Sequence, residues 1–491
     1  MQAMPNILIV KPDQHNARCM GINGHPQVKT PNIDALAADG VHFPRAFVQS
    51  AICSPSRMSY LSGQYVHNHG VYGLSGNETL PPVLPSLFST FKAAGYRTGV
   101  IGHVHVKDDW LEPHCDMYRP FQDDETDAYN KYLEAKGKQR EDIEWKGLSQ
   151  ILDACPGKLS FEDSAEGYAL TCFDEFLDAR PDSAPFLFQI DAMHPHQCYI
   201  PAKQFWDLYE GVDLELPPNL HDDITNKPPN QQKMHAWARA GGYTVFEPKT
   251  LEAARLRKLR GYYGCVSQVD HMLGLARRML KDQGLEENTI VIYCTDHGDM
   301  AMEHDLPEKA PGISYDAILR TPFIWAWPAG GFQQGTVDEL VESVDQFPTL
   351  CTLAGVRPPD TVDGIDISPM LRGDHTPVRD CVFAEFPWSR TIRTDEWLLC
   401  HRPVGMYREG MDDGELYNVK DDPWQINNLY HDQRCRDIRE QLRRRLFDWI
   451  LQSTRYCNTW PHLPQGADGK IDPDELRRQL AVGGPWDIAY T

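Results

Sequence analysis

Two short apolar runs in this chain each end abruptly in a polar cluster. Ile7-Leu8-Ile9-Val10 runs into Asp13-Gln14-His15, and Thr289 to Cys294 runs into Asp296-His297-Gly298-Asp299. Apolar runs of this length, rich in β-branched residues, predict buried strands. In an open α/β sheet, the positions just past the carboxyl ends of the strands form the ligand edge. Further strands are predicted at Arg97 to Ile101, Phe186 to Ile190 and Phe323 to Trp327. Helical patterns lie between them. Thr30-Pro31 predicts a helix with Thr30 as N-cap, Pro31 in its first turn and Gly40 at its end. Leu84, Leu87, Phe88 and Phe91 share one helical face, which Gly95 closes. A long helical pattern runs from Leu251 to Leu280 and stops near Gly284. This alternation predicts an α/β fold: a large, mostly parallel or mixed sheet sandwiched by helices.

The 491 residues suit a large domain with an appendage. After about residue 375 the character changes. Short extended pieces, Cys381 to Phe386 and Trp397 to His401, precede a helix from about Asp437 to Leu451 with Ile438, Leu442, Leu446 and Trp449 on its buried stripe. The expected division is a catalytic domain over 1–375 and a small α+β subdomain over 376–491, with a short antiparallel sheet and a helix. Arg443 to Arg445 read as a solvated face of that helix rather than an anion patch. Residues near 196 to 250, rich in Pro, Asn, Gln and charge, read as an excursion that walls a site. Their aromatics Tyr199, Trp206, Tyr209 and Trp237 read as packing residues first and stacking platforms second.

The formal net charge of −22 repels phosphate backbones, which excludes nucleic-acid binding by bulk electrostatics. An anionic substrate then needs a locally positive or metal-bearing site. No apolar run reaches the length of a membrane span, so no membrane partner is expected. Thirteen cysteines cannot all pair and show no knot-like spacing. The chain as written is expected to be cytoplasmic with reduced thiols, or periplasmic or secreted if a leader has been removed.

Two carboxylates, an amide and an imidazole from two strand ends suit a hard divalent cation. Cys53-Ser54-Pro55-Ser56-Arg57 places a cysteine at a predicted helix start, where the helix dipole lowers a thiol pKa. That segment also matches the Cys-x-Pro-x-Arg motif of type I sulfatases, in the alkaline phosphatase superfamily. Leu61-Ser62-Gly63-Gln64 follows in place of the family's Leu-Thr-Gly-Arg. Thr30-Pro31-Asn32-Ile33-Asp34, His69-Gly70-Val71, Ala94-Gly95-Tyr96-Arg97-Thr98, Asp296-His297-Gly298, Arg320-Thr321-Pro322 and Asp363-Gly364-Ile365-Asp366 follow in family order. Glu415-Leu416-Tyr417-Asn418, Asp422-Pro423 and Asn427-Asn428-Leu429 resemble the family's C-terminal stretch, so the resemblance covers nearly the whole chain.

The resemblance implies a sulfuric ester hydrolase whose Cys53 is oxidised to formylglycine by a maturation enzyme. The hydrated aldehyde is the family's nucleophile. Its attack on sulfur gives a covalent sulfate ester, which collapses when the second hydroxyl loses its proton. By the same resemblance Asp13, Gln14, Asp296, His297 and residue 53 hold one divalent cation, with Ca2+ expected and Mn2+ as the alternative. Arg57 neutralises charge at the nucleophile, His105 assists the collapse, Lys309 grips a sulfate oxygen, and His196 with Lys309 protonates the leaving oxygen. His194 reads as structural. His103 stands where the family has lysine. A histidine is charged only in part near neutrality, so a sharper pH dependence is expected. The expected substrate is a sulfated carbohydrate or an aryl sulfate, and a homo-oligomer is the base expectation. Gln14, His297 and His103 keep open a phosphonate monoester or phosphodiester hydrolase on the same fold, and a non-catalytic sulfate-binding relative is a third reading.

Overall fold

A computed structural model of the chain describes residues 4–74, 80, 84–121, 127–140, 154–181, 184–239, 250–306, 308–309, 312–403 and 413–455. Its large sheet contains β1 (Asn6–Pro12), β2 (Val41–His42), β3 (Arg97–Gly102), β4 (Met117–Pro120), β5 (Phe186–Ala192), β6 (Thr289–Cys294), β7 (Phe323–Ala326) and β8 (Gly335–Thr336). Their spatial order is β8-β2-β7-β6-β1-β5-β3-β4. β7 runs antiparallel to β2 and β6, and the other neighbouring pairs are parallel.

The apolar runs are continuous because alternate residues feed two cores. In β1, Ile7 and Ile9 join one core while Leu8 and Val10 join the other. In β6, Ile290 and Ile292 face the first core, and Val291 and Tyr293 the second. Seven helices frame the site and its supports: α1 (Pro31–Ala38), α2 (Cys53–Ser62), α3 (Leu87–Ala93), α4 (Ala165–Asp178), α5 (Leu251–Asp282), α6 (Gln346–Ala354) and α7 (Arg436–Ser453). α2, α3 and α6 cover the first face through Met58, Leu61, Phe88, Phe91, Phe347 and Leu350. α1, α4 and α5 cover the second through Ile33, Leu36, Phe173, Phe176, Met272 and Leu273.

Thr30 is the N-cap residue of α1 and Pro31 stands in its first turn, as predicted, but two details differ. The Thr30 side chain makes no capping bond. Its hydroxyl accepts from Gly21 N and donates to Asp34 Oδ1, while Asp270 of α5 accepts the first-turn amides of Asn32 and Ile33 at 2.9 and 2.8 Å. A cap supplied from 238 residues away leaves no local signal. α1 ends at Ala38, with Asp39 as C-cap. Gly40 serves close approach instead, since a Cβ there would lie 2.2 Å from the Trp325 carbonyl oxygen.

The C-terminal sheet is an antiparallel meander of β9 (Cys381–Phe386), β10 (Ser389–Thr394), β11 (Trp397–Arg402) and β12 (Asp413–Asn418). α7 packs on it with Leu442, Leu446 and Trp449 buried and Ile438 half-buried, and Trp449 stacks on Phe383 at 4.2 Å. Residue 375 falls between the turn of helix Ser368–Leu371 and β9. Residues 456–491 of the expected subdomain lie outside the described residues. Arg443 meets Glu440 at 3.3 Å and Arg445 meets Asp380 at 2.7 Å, as the solvated-face reading requires. Within the excursion, Tyr199 and Tyr209 are fully buried and Trp206 is half-buried under Arg260. Packing, not an exposed platform, is their role. The Trp237 side chain lies outside the described residues. Among the described residues no helix is long and apolar enough to cross a membrane.

Candidate active site

The carboxyl ends of four strands converge. β1 delivers Asp13 and Gln14, β6 delivers Asp296 and His297, β3 delivers His103 and His105, and β5 delivers Asp191 and then His196. Gly102 permits the tight join between β3 and β5. Its φ is 115°, and a Cβ there would lie 1.9 Å from the Asp191 carbonyl oxygen, which instead accepts His103 N–H at 2.8 Å. Opposite these ends, α2 starts with Cys53, and Arg57 follows one turn later.

Arg57 is fully buried and spends its guanidinium on carboxylates. Nη2 reaches Asp13 Oδ2 at 2.8 Å, Nε reaches Asp296 Oδ2 at 2.9 Å and Nη1 reaches Asp191 Oδ1 at 2.9 Å. Lys11 adds a second cation on Asp191 at 2.7 Å. Burial pulls the Asp13 pKa up, but His196, Arg57, His297 and Lys309 outweigh it and hold the carboxyl well below the usual range. Burial also opposes the charge of Arg57, and Asp296, Asp191 and Asp13 outweigh that penalty. Both groups therefore stay ionised inside the protein.

Donor atoms of Asp13, Cys53, Asp296 and His297 all lie within 4.8 Å of one another, and all four residues are buried. Cys53 Sγ is 3.3 Å from His297 Nε2 and 3.9 Å from Asp13 Oδ1. His297 Nε2 lies 3.7 Å from Asp13 Oδ1 and 3.9 Å from Asp296 Oδ2. Donors sharing a cation at about 2.0–2.4 Å sit roughly 3–4 Å apart, so the set fits a divalent ion. His297 Nδ1 bonds the Gly298 carbonyl at 2.9 Å, which leaves Nε2 to face the cluster as a lone pair. The carboxylate oxygens suit Ca2+, and the imidazole of His297 is what makes Mn2+ the alternative.

Gln14 stands at the rim of this set with φ of 69°. Its Oε1 accepts from Lys309 at 3.1 Å, and its Nε2 donates to Asp299 Oδ2 at 2.6 Å and Gln197 Oε1 at 3.2 Å. The Lys309 ammonium also contacts His196 Nε2 at 3.2 Å. Burial opposes the charge on Lys309, but groups including Cys53, Glu308 and Asp13 hold its pKa above the usual lysine range. His196 Nδ1 bonds the Gln197 carbonyl at 2.7 Å, which turns Nε2 toward Lys309. Lys309 and His196 are thus joined by a hydrogen bond beside Gln14.

Two expectations about charge change. Cys53 is the first residue of α2, as predicted, yet burial and then Asp13 push its thiol well above the usual value, against the helix dipole. A plain cysteine here stays protonated. His103 is buried, its ring centroid 3.6 Å from that of His105 and Nε2 3.7 Å from Asp13 Oδ2. Burial, then His105 and Arg57, drive its pKa well below the usual value, so the ring is neutral rather than partly charged and supplies no neutral-range titration. His105, with φ of 49°, is likewise pushed down to about 3 by burial and Arg57.

Several supporting residues escaped the sequence reading. Asp191 and Lys11 sit at the ends of buried strands, and that placement of charge was a usable signal. Glu166 of α4 had none. It is fully buried, bonds His194 Nδ1 at 3.1 Å and accepts from His194 N and Gln268 Nε2, which ties down the turn that carries His196. His194 is thus structural, as read. Burial raises the Glu166 pKa, but His194 and Gln268 outweigh it and lower it to about 2. Its stabilisation is present above the ordinary value of 4.5 and is lost as pH falls from there toward 2. Glu166→Ala is expected to cost about 3–5 kcal/mol by stranding His194. Thermal unfolding of the variant should show that loss near neutrality and a smaller one in acid.

Carboxylates and imidazoles facing a helix start at the carboxyl edge of a mixed sheet form a candidate cation-binding centre for ester chemistry. The family model "Sulfatase" matches residues 5–356, and the model "N-sulphoglucosamine sulphohydrolase, C-terminal" matches residues 303–452. An arylsulfatase of Clostridium perfringens is 26% identical over 467 residues, covering 90% of this chain and 93% of that one. A structure solved with its substrate D-glucosamine-2-N,6-O-disulfate superposes with a TM-score of 0.73 at 20% identity, covering 92% and 98%. A phosphonate monoester hydrolase of Agrobacterium radiobacter superposes with a TM-score of 0.78 at 22% identity, covering 95% and 99%. The chain belongs to the sulfatase family, and its relatives support sulfuric ester hydrolase activity.

Proposed function

We propose that the chain is a metal-dependent sulfate ester hydrolase acting on sulfated carbohydrates, with formylglycine at position 53 as nucleophile. The observation that carries this reading is the buried four-donor set around Cys53, held by Arg57, inside a chain of the sulfatase family. Cys53 Sγ stands in for an oxygen of the modified side chain. A bound divalent cation, Ca2+ first and Mn2+ second, supplies positive charge for the nucleophile and the sulfate oxygens. Arg57 keeps Asp13 and Asp296 ionised and in place. Lys309 binds a sulfate oxygen, and the Lys309–His196 pair gives a proton to the leaving oxygen. The sugar reading leans on the neighbour solved with a glucosamine disulfate.

Assaying sulfate release from sulfated glucosamine, sulfated uronides and aryl sulfate, with and without a chelator, tests this. Release from at least one sulfated sugar, abolished by the chelator and restored by Ca2+ or Mn2+, is the expected result. Turnover of aryl sulfate alone would remove the carbohydrate assignment. His196→Ala is expected to slow sugar sulfates by about 10²–10⁴-fold and activated aryl sulfates far less, because only the poor leaving group needs the proton. Equal losses on both substrates would remove the acid role.

The second reading, a phosphonate monoester or phosphodiester hydrolase, is favoured by Gln14 at the rim and by a neutral His103 in place of a fixed cation. It uses the same residues with a different central atom.

A further inference from the structure

Behind Gln14 stands a carboxylate that the hydrolytic roles do not use. Asp299 is fully buried, just past the Asp296-His297 end of β6. Lys258 of α5, also fully buried, pairs with Asp299 Oδ1, and Ala301 N donates to the same oxygen at 2.6 Å. Asp299 Oδ2 accepts from Gln14 Nε2 at 2.6 Å and from the Tyr199 hydroxyl at 3.1 Å. The Lys258 ammonium lies over the Tyr199 and Tyr262 rings at 5.1 and 5.0 Å, and the Tyr262 hydroxyl donates to the Gln14 carbonyl at 2.9 Å. α5 therefore braces the strand end that carries Asp13 and Gln14.

The two ends of the Gln14 amide meet groups that leave it no choice. The Asp299 carboxylate only accepts, so it takes the amide nitrogen. The Lys309 ammonium only donates, so it takes the amide oxygen. An acid at position 14 would set two buried carboxylates against each other across the 2.6 Å contact, which is strongly unfavourable. An amide both avoids the repulsion and delivers one oxygen to the rim.

We propose that Asp299, anchored by Lys258, is a positioning residue that orients Gln14 and through it Lys309, and that residues 14 and 299 are a matched amide–carboxylate pair. This rests on the reading of the Asp13–Asp296 cluster as the ester-hydrolysing centre. The pairing gives a physical reason for an amide rather than a carboxylate at position 14.

The test is an isosteric swap: Gln14→Glu, Asp299→Asn and the double variant, which exchanges amide and carboxylate at constant net charge. Two readouts are taken, the unfolding midpoint of metal-free protein and kcat with KM on aryl sulfate. Each single variant is expected to lose about 10–100-fold in kcat, the usual cost of breaking a supporting contact to a site residue. The double variant is expected to recover at least about tenfold over the worse single and to show the same coupling in its unfolding midpoint. A Gln14→Glu protein with wild-type kcat, or a double variant no better than the worse single, would overturn the proposal. Coupling in stability alone, without coupling in kcat, would reduce the pair to a structural contact and equally overturn the positioning role. If wild-type protein hydrolyses no ester, the reading of the centre fails on its own account, and the stability cycle decides the pairing separately.

Discussion

Cys53→Ala is expected to fold normally and to lose ester hydrolysis by about 10⁴-fold or more, the scale of removing a covalent nucleophile. The fold should survive because the side chain is small and its polar neighbours are His297 and Asp13, which keep their own partners in Gly298 and Arg57. The loss should be near complete because the other three donors of the set, Asp13, Asp296 and His297, are taken up as cation ligands and leave residue 53 to attack. Unconverted Cys53 is likewise expected to be nearly inactive, because a thiol lacks the second hydroxyl whose deprotonation releases sulfate from the hydrated aldehyde. Steady-state rates on one aryl sulfate, with unfolding curves for each protein, check both statements. An alanine variant within tenfold of wild type would remove residue 53 from the chemistry.

The second large effect is on stability. Arg57→Ala strands the carboxylates of Asp13, Asp191 and Asp296, of which, among the described residues, only Asp191 keeps a direct lysine salt bridge, to Lys11. Removing one partner from a buried charge network costs about 3–5 kcal/mol. Arg57→Lys is expected to recover only part of that, because a single ammonium cannot reproduce a planar fork that meets three carboxylates at once. Denaturant midpoints of metal-free protein measure this without relying on activity, which both variants are expected to lose. Added Ca2+ or Mn2+ should raise the Arg57→Ala midpoint, since a cation partly replaces the missing charge. An Arg57→Ala midpoint equal to wild type would contradict the charge accounting.

Five strands of the large sheet, β1, β3, β5, β6 and β7, were legible because buried strands write themselves as unbroken apolar runs, whereas the short β2, β4 and β8 carry no such run. β6 was bounded to the residue, and β9 likewise. The polar residues after β1 and β6 were legible as a ligand edge for the same reason. What stayed hidden came from distant sequence. Asp270 caps α1, Lys258 holds Asp299, and Glu166 holds His194, each from a helix whose own pattern shows only an amphipathic stripe. Charge states were hidden too. The helix dipole argued for a reactive thiol at Cys53, but burial outweighs it, and burial likewise silences His103. A sequence shows which groups share a chain, whereas a pKa depends on how completely water is excluded around them.

Whether this centre transfers sulfate rather than phosphonate or phosphodiester groups is decided by kcat/KM on leaving-group-matched aryl esters. The set is sulfate, phosphate monoester, phosphate diester and phosphonate monoester. The protein used should have residue 53 confirmed as formylglycine by peptide mass and be supplied with Ca2+ or Mn2+ in turn. A clear lead for the sulfate ester is the predicted result. A clear lead for the diester or the phosphonate would contradict it and make Gln14, His103 and His297 the residues that set the central atom.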